Sequence, residues 1–175
     1  MKTHAPRVPP VQPGARPQLR VIEERILQQR GQISVLYQVL LNSAPIAQGW
    51  EALLTAVRNQ TSIPADLREL IILRVAVSNR ASFEFQAHVP HALRAGVPQA
   101  MIDAVRQTPL AAGFTESERW VLSMTDHMTR SVDVPAEVMA EITSRYGATE
   151  VVELVATVAA YNMVSRFLVA LDVVH

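Results

Sequence analysis

From residue 19 onward the apolar residues recur at three- and four-residue intervals, and no segment of four or more alternates convincingly as a strand. That periodicity commits the chain to helices. Leu19, Ile22, Ile26 and Leu27 mark one amphipathic segment. Ile33, Leu36, Tyr37, Leu40 and Leu41 mark a second, and Ile46, Trp50, Leu53, Leu54 and Val57 a third. Pro64 falls in a first turn, where a missing N–H costs nothing, and Asp66 suits the positive end of that helix. The helix it starts runs to about Ser78 and is apolar nearly all round from Leu70 to Val77, which predicts burial in a core or an interface. Ser82 is the predicted N-cap of the next helix, which stops near Gly96. Pro98 opens a short helix. Thr115 and Glu118 form a capping-box pattern ahead of a helix from Glu116 to about Arg130. Pro135 starts a helix ending at Gly147, and Thr149 is expected to cap the last one. The expected fold class is all-α, with helices joined by short turns and no longer repeat.

Length and charge narrow the partners. The chain's 175 residues suit one domain, 18–175, behind an arm, 1–17, that holds five prolines and is expected to be disordered or loosely wrapped. Sixteen basic residues balance sixteen acidic ones, so the basic excess of a nucleic-acid binder is missing, and near-neutrality is permissive of homo-oligomers. With no cysteine, disulfides, thiolate metal sites and sulfur nucleophiles are excluded. The arm lacks the apolar stretch of a secretory signal. Residues 151–174 are apolar and long enough to span a bilayer, but Glu153, Asn162, Arg166 and Asp172 interrupt them. Charges are costly at membrane depth, so this is expected to be a buried core helix of a cytoplasmic protein with no membrane partner.

Histidine is the scarce chemical resource. His4 lies in the arm and His175 ends the chain, leaving His88, His91 and His127. Glu84 and His88 stand four apart on one helix face, flanked by Phe83, Phe85 and Val89. Apolar surroundings push a carboxyl pKa toward neutrality, as proton transfer requires, although an ordinary surface pair has the same spacing. Glu69 sits at the edge of the Leu70–Val77 run, on the preceding helix. An antiparallel turn through Asn79, Arg80 and Ala81 would let it approach Glu84, and a solvated residue of an early turn is the alternative. Pro90 should kink the helix beside His88, either opening room for a ligand or bending around a neighbour. Glu84, His88 and His91 offer metal-ligand types, but the paired Glu-x-x-His motifs of a di-iron bundle are missing, and no metal is assigned. Ser123, Asp126 and His127 match a triad in residue type alone. Adjacent residues do not face each other on a helix, so they are read as a solvated face. Tyr161, Asn162 and Arg166 interrupt the last apolar helix and either tie helices together or face a pocket.

The run Arg68-Glu69-Leu70-Ile71-Ile72-Leu73-Arg74-Val75-Ala76, then Phe83-Glu84-Phe85-Gln86-Ala87-His88-Val89, then Ala92-Leu93-Arg94-Ala95-Gly96-Val97, resembles the carboxymuconolactone decarboxylase and alkylhydroperoxidase-D-like family. The segment Tyr161-Asn162-Met163-Val164-Ser165-Arg166-Phe167-Leu168 is similar to that family's last core helix. Together the likeness covers about Leu36 to Val173. In the peroxidase branch, a glutamate is followed after eleven residues by a CxxC pair and then a histidine. Counted from Glu69, the cysteine positions fall on Ala81 and Glu84 and the histidine on His88, so both thiols are missing. Peroxide reduction through a disulfide is thereby excluded. What remains looks like the cysteine-less, decarboxylase-type branch. The resemblance implies an all-helical bundle of about seven to nine helices assembled as a homotrimer or hexamer. It also implies a cofactor-independent lyase that decarboxylates a small carboxylated lactone or related activated acid. Glu69, Glu84 and His88 would be the catalytic residues, with Phe83, Phe85 and Tyr161 lining the substrate. Tautomerisation or lactone hydrolysis on the same groups, or a non-catalytic oligomeric binding protein, are the alternatives.

Overall fold

The computed structural model describes residues 5–110 and 112–173, so His4 and His175 lie outside it. After a 3-10 turn at Pro17–Leu19 come α1 (Arg20–Arg30), α2 (Val35–Leu40), α3 (Ala44–Asn59), α4 (Ala65–Ser78) and α5 (Ser82–Arg94). They are followed by α6 (Gln99–Ala104), α7 (Glu116–Arg130), α8 (Ala136–Arg145) and α9 (Ala148–Ala170). The fold is all-helical, with no strand among the described residues. The chain divides into two compact units, residues 5–60 with 167–173, and residues 61–166.

In the first unit α3 packs against α1 and α2. Its inner face carries Ala47, Trp50, Leu54 and Val57 together with two polar residues, Glu51 and Thr55. The spacing places Ile46 and Leu53 on the core face, yet they are 55% and 44% exposed. The reason is an ion pair that a single-helix pattern does not contain. Arg25 of α1 reaches the fully buried Glu51 at 2.6 Å, and the Thr55 hydroxyl donates to the same carboxylate at 2.6 Å. A buried charge is tolerable only when so compensated, and this one rotates the helix face toward α1. Residues of the proline-rich arm are tied to this unit. The Arg7 N–H donates to the Leu171 carbonyl (2.8 Å) and the Val11 N–H to that of Gln38 (2.9 Å).

In the second unit α4 packs against both α5 and α7, α7 against α8, and α5 against α6. Residues 69–76 of α4 are all buried, as the nearly all-round apolar character of Leu70–Val77 predicts, and the charged Glu69 and Arg74 are buried with them. The core joins Leu70, Leu73 and Ala76 of α4 to Phe85 and Ala92 of α5, Ile102 of α6 and Leu122 of α7. Several ends follow their caps. Thr115 and Glu118 make both bonds of the capping box, and Gly96 takes φ +92 beyond α5, a conformation that suits glycine. Two caps differ from expectation. Ala81 is the cap of α5, with Ser82 already helical, because the Phe85 N–H bonds the Ala81 carbonyl at 3.0 Å. Thr149 lies inside α9, whose start is closed instead by the Glu150 carboxylate accepting from the Gly147 N–H at 2.9 Å.

Asp126 corrects a larger expectation. It is not part of a solvated face but the counter-ion of Arg74, which is fully buried. Arg74 Nε and Nη2 donate to its two oxygens at 2.7 and 2.5 Å, while Nη1 donates to the carbonyls of Val105 and Gln107 at 2.7 Å each. The guanidinium fork thus fastens α4 to α7 and to the turn after α6. The site described next rests on that fixed α4.

Candidate active site

Three helices of the second unit converge on a small set of buried polar groups. Glu69 on α4, Glu84 and His88 on α5, and Tyr161 and Ser165 on α9 are all buried, the most exposed of them, His88, at 7%. Each is inward for a local reason. Glu69 belongs to the all-round buried stretch of α4, Glu84 and His88 are one turn apart on α5, and Tyr161 and Ser165 one turn apart on α9.

The contacts distinguish two pairs. His88 Nδ1 lies 2.7 Å from Glu69 Oε2, across the α4–α5 interface. This bond engages Nδ1 and helps to set the ring's orientation and tautomer. The ring of Tyr161 meets the imidazole edge-on, with centroids 5.2 Å apart and an interplanar angle of 88°. The second pair joins Glu84 to α9, where the Ser165 hydroxyl donates to Glu84 Oε2. Glu84 Oε1 is buried and has no hydrogen-bond partner among the described residues. Burial pushes the Glu84 carboxyl up from 4.5 to about 8, against the opposing pull of the Ser165 hydroxyl. The side chain is therefore a neutral acid near pH 7. Its elevation comes from desolvation, the cause that its apolar flanking residues suggested.

The remaining candidates fall on either side of this centre. Phe83 is half-buried. Phe85 packs into the apolar cluster with Leu70 and Leu73, and the Arg106 guanidinium lies 3.7 Å over its ring. His91 has its ring 5.4 Å from that of His88, and its Nδ1 meets Arg94 Nη2 at 2.8 Å. With Glu84 held by Ser165, His88 by Glu69 and His91 by Arg94, the E-x3-H-x2-H run does not converge on one point. No metal-ligating group of three or more forms among the described residues. Asn162 is a tie between helices, its side chain bonding Asn79 and Thr129 at 2.9 Å each, and Arg166 in turn donates to Asn162. Ser165 went unnoticed in the sequence. Its signal was a small polar residue one helical turn beyond Tyr161 in an otherwise apolar helix.

Residues 44–127 match the model of the carboxymuconolactone decarboxylase family. Over that segment the chain is similar to this family. Glu69, Glu84 and His88 fall inside the matched segment, whereas Tyr161 and Ser165 lie beyond it. No curated relative matches the chain. Solved structures with the same fold include the debrominase Bmp8 in complex with 2,3,4-tribromopyrrole, at TM-score 0.78 and 20% identity over 93% of this chain and 88% of that one. A peroxidase-related protein from Silicibacter sp. TM1040 aligns at TM-score 0.79 and 14% identity over 93% and 87%. A protein of unknown function from Agrobacterium tumefaciens, linked by its description to the antioxidant defence protein AhpD, aligns at TM-score 0.72 and 21% identity over 77% and 93%. At such identities the likeness establishes the alkylhydroperoxidase-D-like fold and leaves chemistry to the residues.

Proposed function

We propose that this chain is an enzyme of the carboxymuconolactone decarboxylase type that processes a small molecule by cofactor-independent proton transfer at carbon. More narrowly, we propose a lyase that decarboxylates a small carboxylated lactone or related activated acid. The observation that carries the proposal is a buried neutral acid, Glu84, one helical turn from a histidine whose Nδ1 is held by a second buried carboxyl, Glu69. Acid and base functions are thereby separated by environment within one site.

The chemistry asks for little else. The bond between the substrate's carboxylate carbon and its neighbour breaks, and that electron pair moves into the adjacent carbonyl to give an enolate as CO2 leaves. The enolate then returns the pair to carbon, forming a C–H bond with a proton from Glu84 or from His88. The donor recovers its proton from solvent. Glu69 keeps the imidazole oriented, while Tyr161 and Phe83 limit water around the enolate. The Bmp8 complex with a brominated pyrrole puts a small ring compound on this fold, which supports a small-molecule substrate here. The homotrimer or hexamer belongs to the same proposal and is tested by sedimentation velocity.

The deciding experiment is an NMR time course in D2O with a carboxylated muconolactone, several β-keto acids and simple enolisable lactones. Loss of the carboxyl with deuterium appearing on carbon supports the lyase. Deuterium exchange without CO2 release replaces it by a tautomerase using the same groups, and no reaction on any substrate favours a binding protein.

A further inference from the structure

A buried carboxyl with only one oxygen satisfied is unusual, since buried polar atoms nearly always find partners. Glu84 is such a group. Its Oε2 accepts from Ser165, itself fully buried on α9, and its Oε1 is enclosed without a partner among the described residues. One oxygen is anchored by a side chain of another helix and the other is enclosed without a hydrogen bond.

We propose that Ser165 is a positioning residue for Glu84: its hydroxyl holds Oε2 as the acceptor oxygen, so the acidic proton resides on Oε1, from which it is delivered. Hydroxyl donation to Oε2 favours carbonyl character on that oxygen, because a protonated oxygen is a poor acceptor. The hydroxyl also stabilises the carboxylate left after proton delivery, which keeps so deeply buried an acid able to ionise at all. The other buried titratable groups on these elements are Glu69 on α4, His88 on the same helix and Tyr161 on α9; Asp66, Arg68, His91, Arg94, Glu150, Glu153 and Arg166 on the same helices are not buried. Arg74, also on α4, is engaged by Asp126. Delivery from Oε1 rests on the proton-transfer function proposed above, but the anchoring does not. It is measured without substrate, so the two fail separately.

The test is a titration of the Glu84 carboxyl carbon by NMR in protein labelled at glutamate Cδ, with Glu84→Gln identifying the resonance. Wild type should titrate near the elevated value of about 8. Ser165→Ala should move the midpoint upward by about one unit or more, because a donor to the charged form is lost. Ser165→Cys keeps the volume with a weak donor and should move it the same way, and it stands in if the alanine variant does not fold. Ser165→Thr, which retains a hydroxyl, should restore the wild-type midpoint. The infrared difference between each protein and its Glu84→Gln counterpart tests the proton's place. With Oε2 as the carbonyl oxygen, loss of the serine hydroxyl shifts the Glu84 C=O band to higher wavenumber. An unchanged midpoint in the alanine and cysteine variants, or a C=O band that stays put, overturns the proposal.

Discussion

At the residue scale the decisive group is Glu84, whose environment makes two measurable demands. Its folded-state pKa is raised from 4.5 to about 8 by burial. Below the unfolded value both states hold the proton. Above it only the folded state does, so this group's contribution to stability is lost as pH rises and levels off once the folded state also ionises. The loss is on the order of 5 kcal/mol across that window. Glu84→Gln carries no titrating proton. The stability of wild type relative to this variant, from urea unfolding at a series of pH values, should therefore fall steadily between about pH 5 and about pH 8. A flat difference would mean that Glu84 ionises normally. The same proton governs catalysis. In the proposed reaction Glu84→Gln should lower kcat by at least about 100-fold at pH 7 while circular dichroism stays unchanged. The wild-type rate should decline above about pH 8, as the acid form is lost. Retained turnover in the variant would remove Glu84 from the chemistry and leave His88 as the proton donor. The Glu84–His88 pair was legible in the sequence because its spacing is local. The partners that give it meaning, Glu69 and Ser165, stand 19 and 81 residues away from the residues they bond. No periodicity encodes such distances.

At the scale of elements, the sequence located helices well and their faces less well. Prolines, glycines and the Thr115–Glu118 box act within a turn, so they mark ends reliably, as α4, α6 and α7 illustrate. Faces depend on what lies opposite. On α3 the buried positions include Glu51 because Arg25 meets it, and on α7 Asp126 turns inward because it meets the fully buried Arg74. In both cases a polar residue looks solvated until its distant counter-ion is known. The Arg74–Asp126 fork makes a specific prediction. Asp126→Ala leaves a fully buried guanidinium uncompensated and should cost about 3–5 kcal/mol of unfolding free energy. Asp126→Asn keeps hydrogen-bond acceptance without the charge and should cost less. Urea denaturation that moves the midpoint without changing the slope would assign the loss to this contact, whereas a loss below about 1 kcal/mol would class the fork with ordinary surface pairs. Since Glu69 shares α4 with Arg74, a misplaced α4 in the alanine variant should also weaken the Glu69–His88 bond. Broadening of the His88 ring signals would report it.

At the scale of the whole molecule, the family resemblance was legible because several weak signals kept their order: a nearly all-round apolar helix, the Glu69–Glu84–His88 register, and a long apolar helix broken by Tyr161 and Asn162. Helix α9 is long and apolar enough to cross a membrane, yet half of the qualifying stretch is buried within the protein, in line with a core helix. The absence of any cysteine is also a property of the whole chain, and it closes a branch of chemistry that the fold does not. A disulfide-linked peroxidase needs a nucleophilic thiolate to take oxygen from the peroxide and a second thiol to resolve the sulfenic acid. At the two positions where the resemblance expects those thiols, this chain has Ala81 and Glu84. A hydroperoxide assay with a dithiol reductant should therefore give a rate indistinguishable from the protein-free blank. Whatever activity the D2O assay finds should survive prior treatment with iodoacetamide or N-ethylmaleimide. Sensitivity to either reagent at neutral pH would implicate a group other than a thiol, with His88 and His91 the residues to map first by mass spectrometry. Introducing Ala81→Cys and Glu84→Cys together asks the converse question. If the fold and the His88–Glu69 pair are sufficient scaffolding, the double variant should gain measurable thiol-dependent peroxide consumption while losing any Glu84-dependent proton transfer. If peroxide consumption stays at the blank with both cysteines reduced and reactive, the surroundings of the two positions, not the thiols alone, separate the two chemistries.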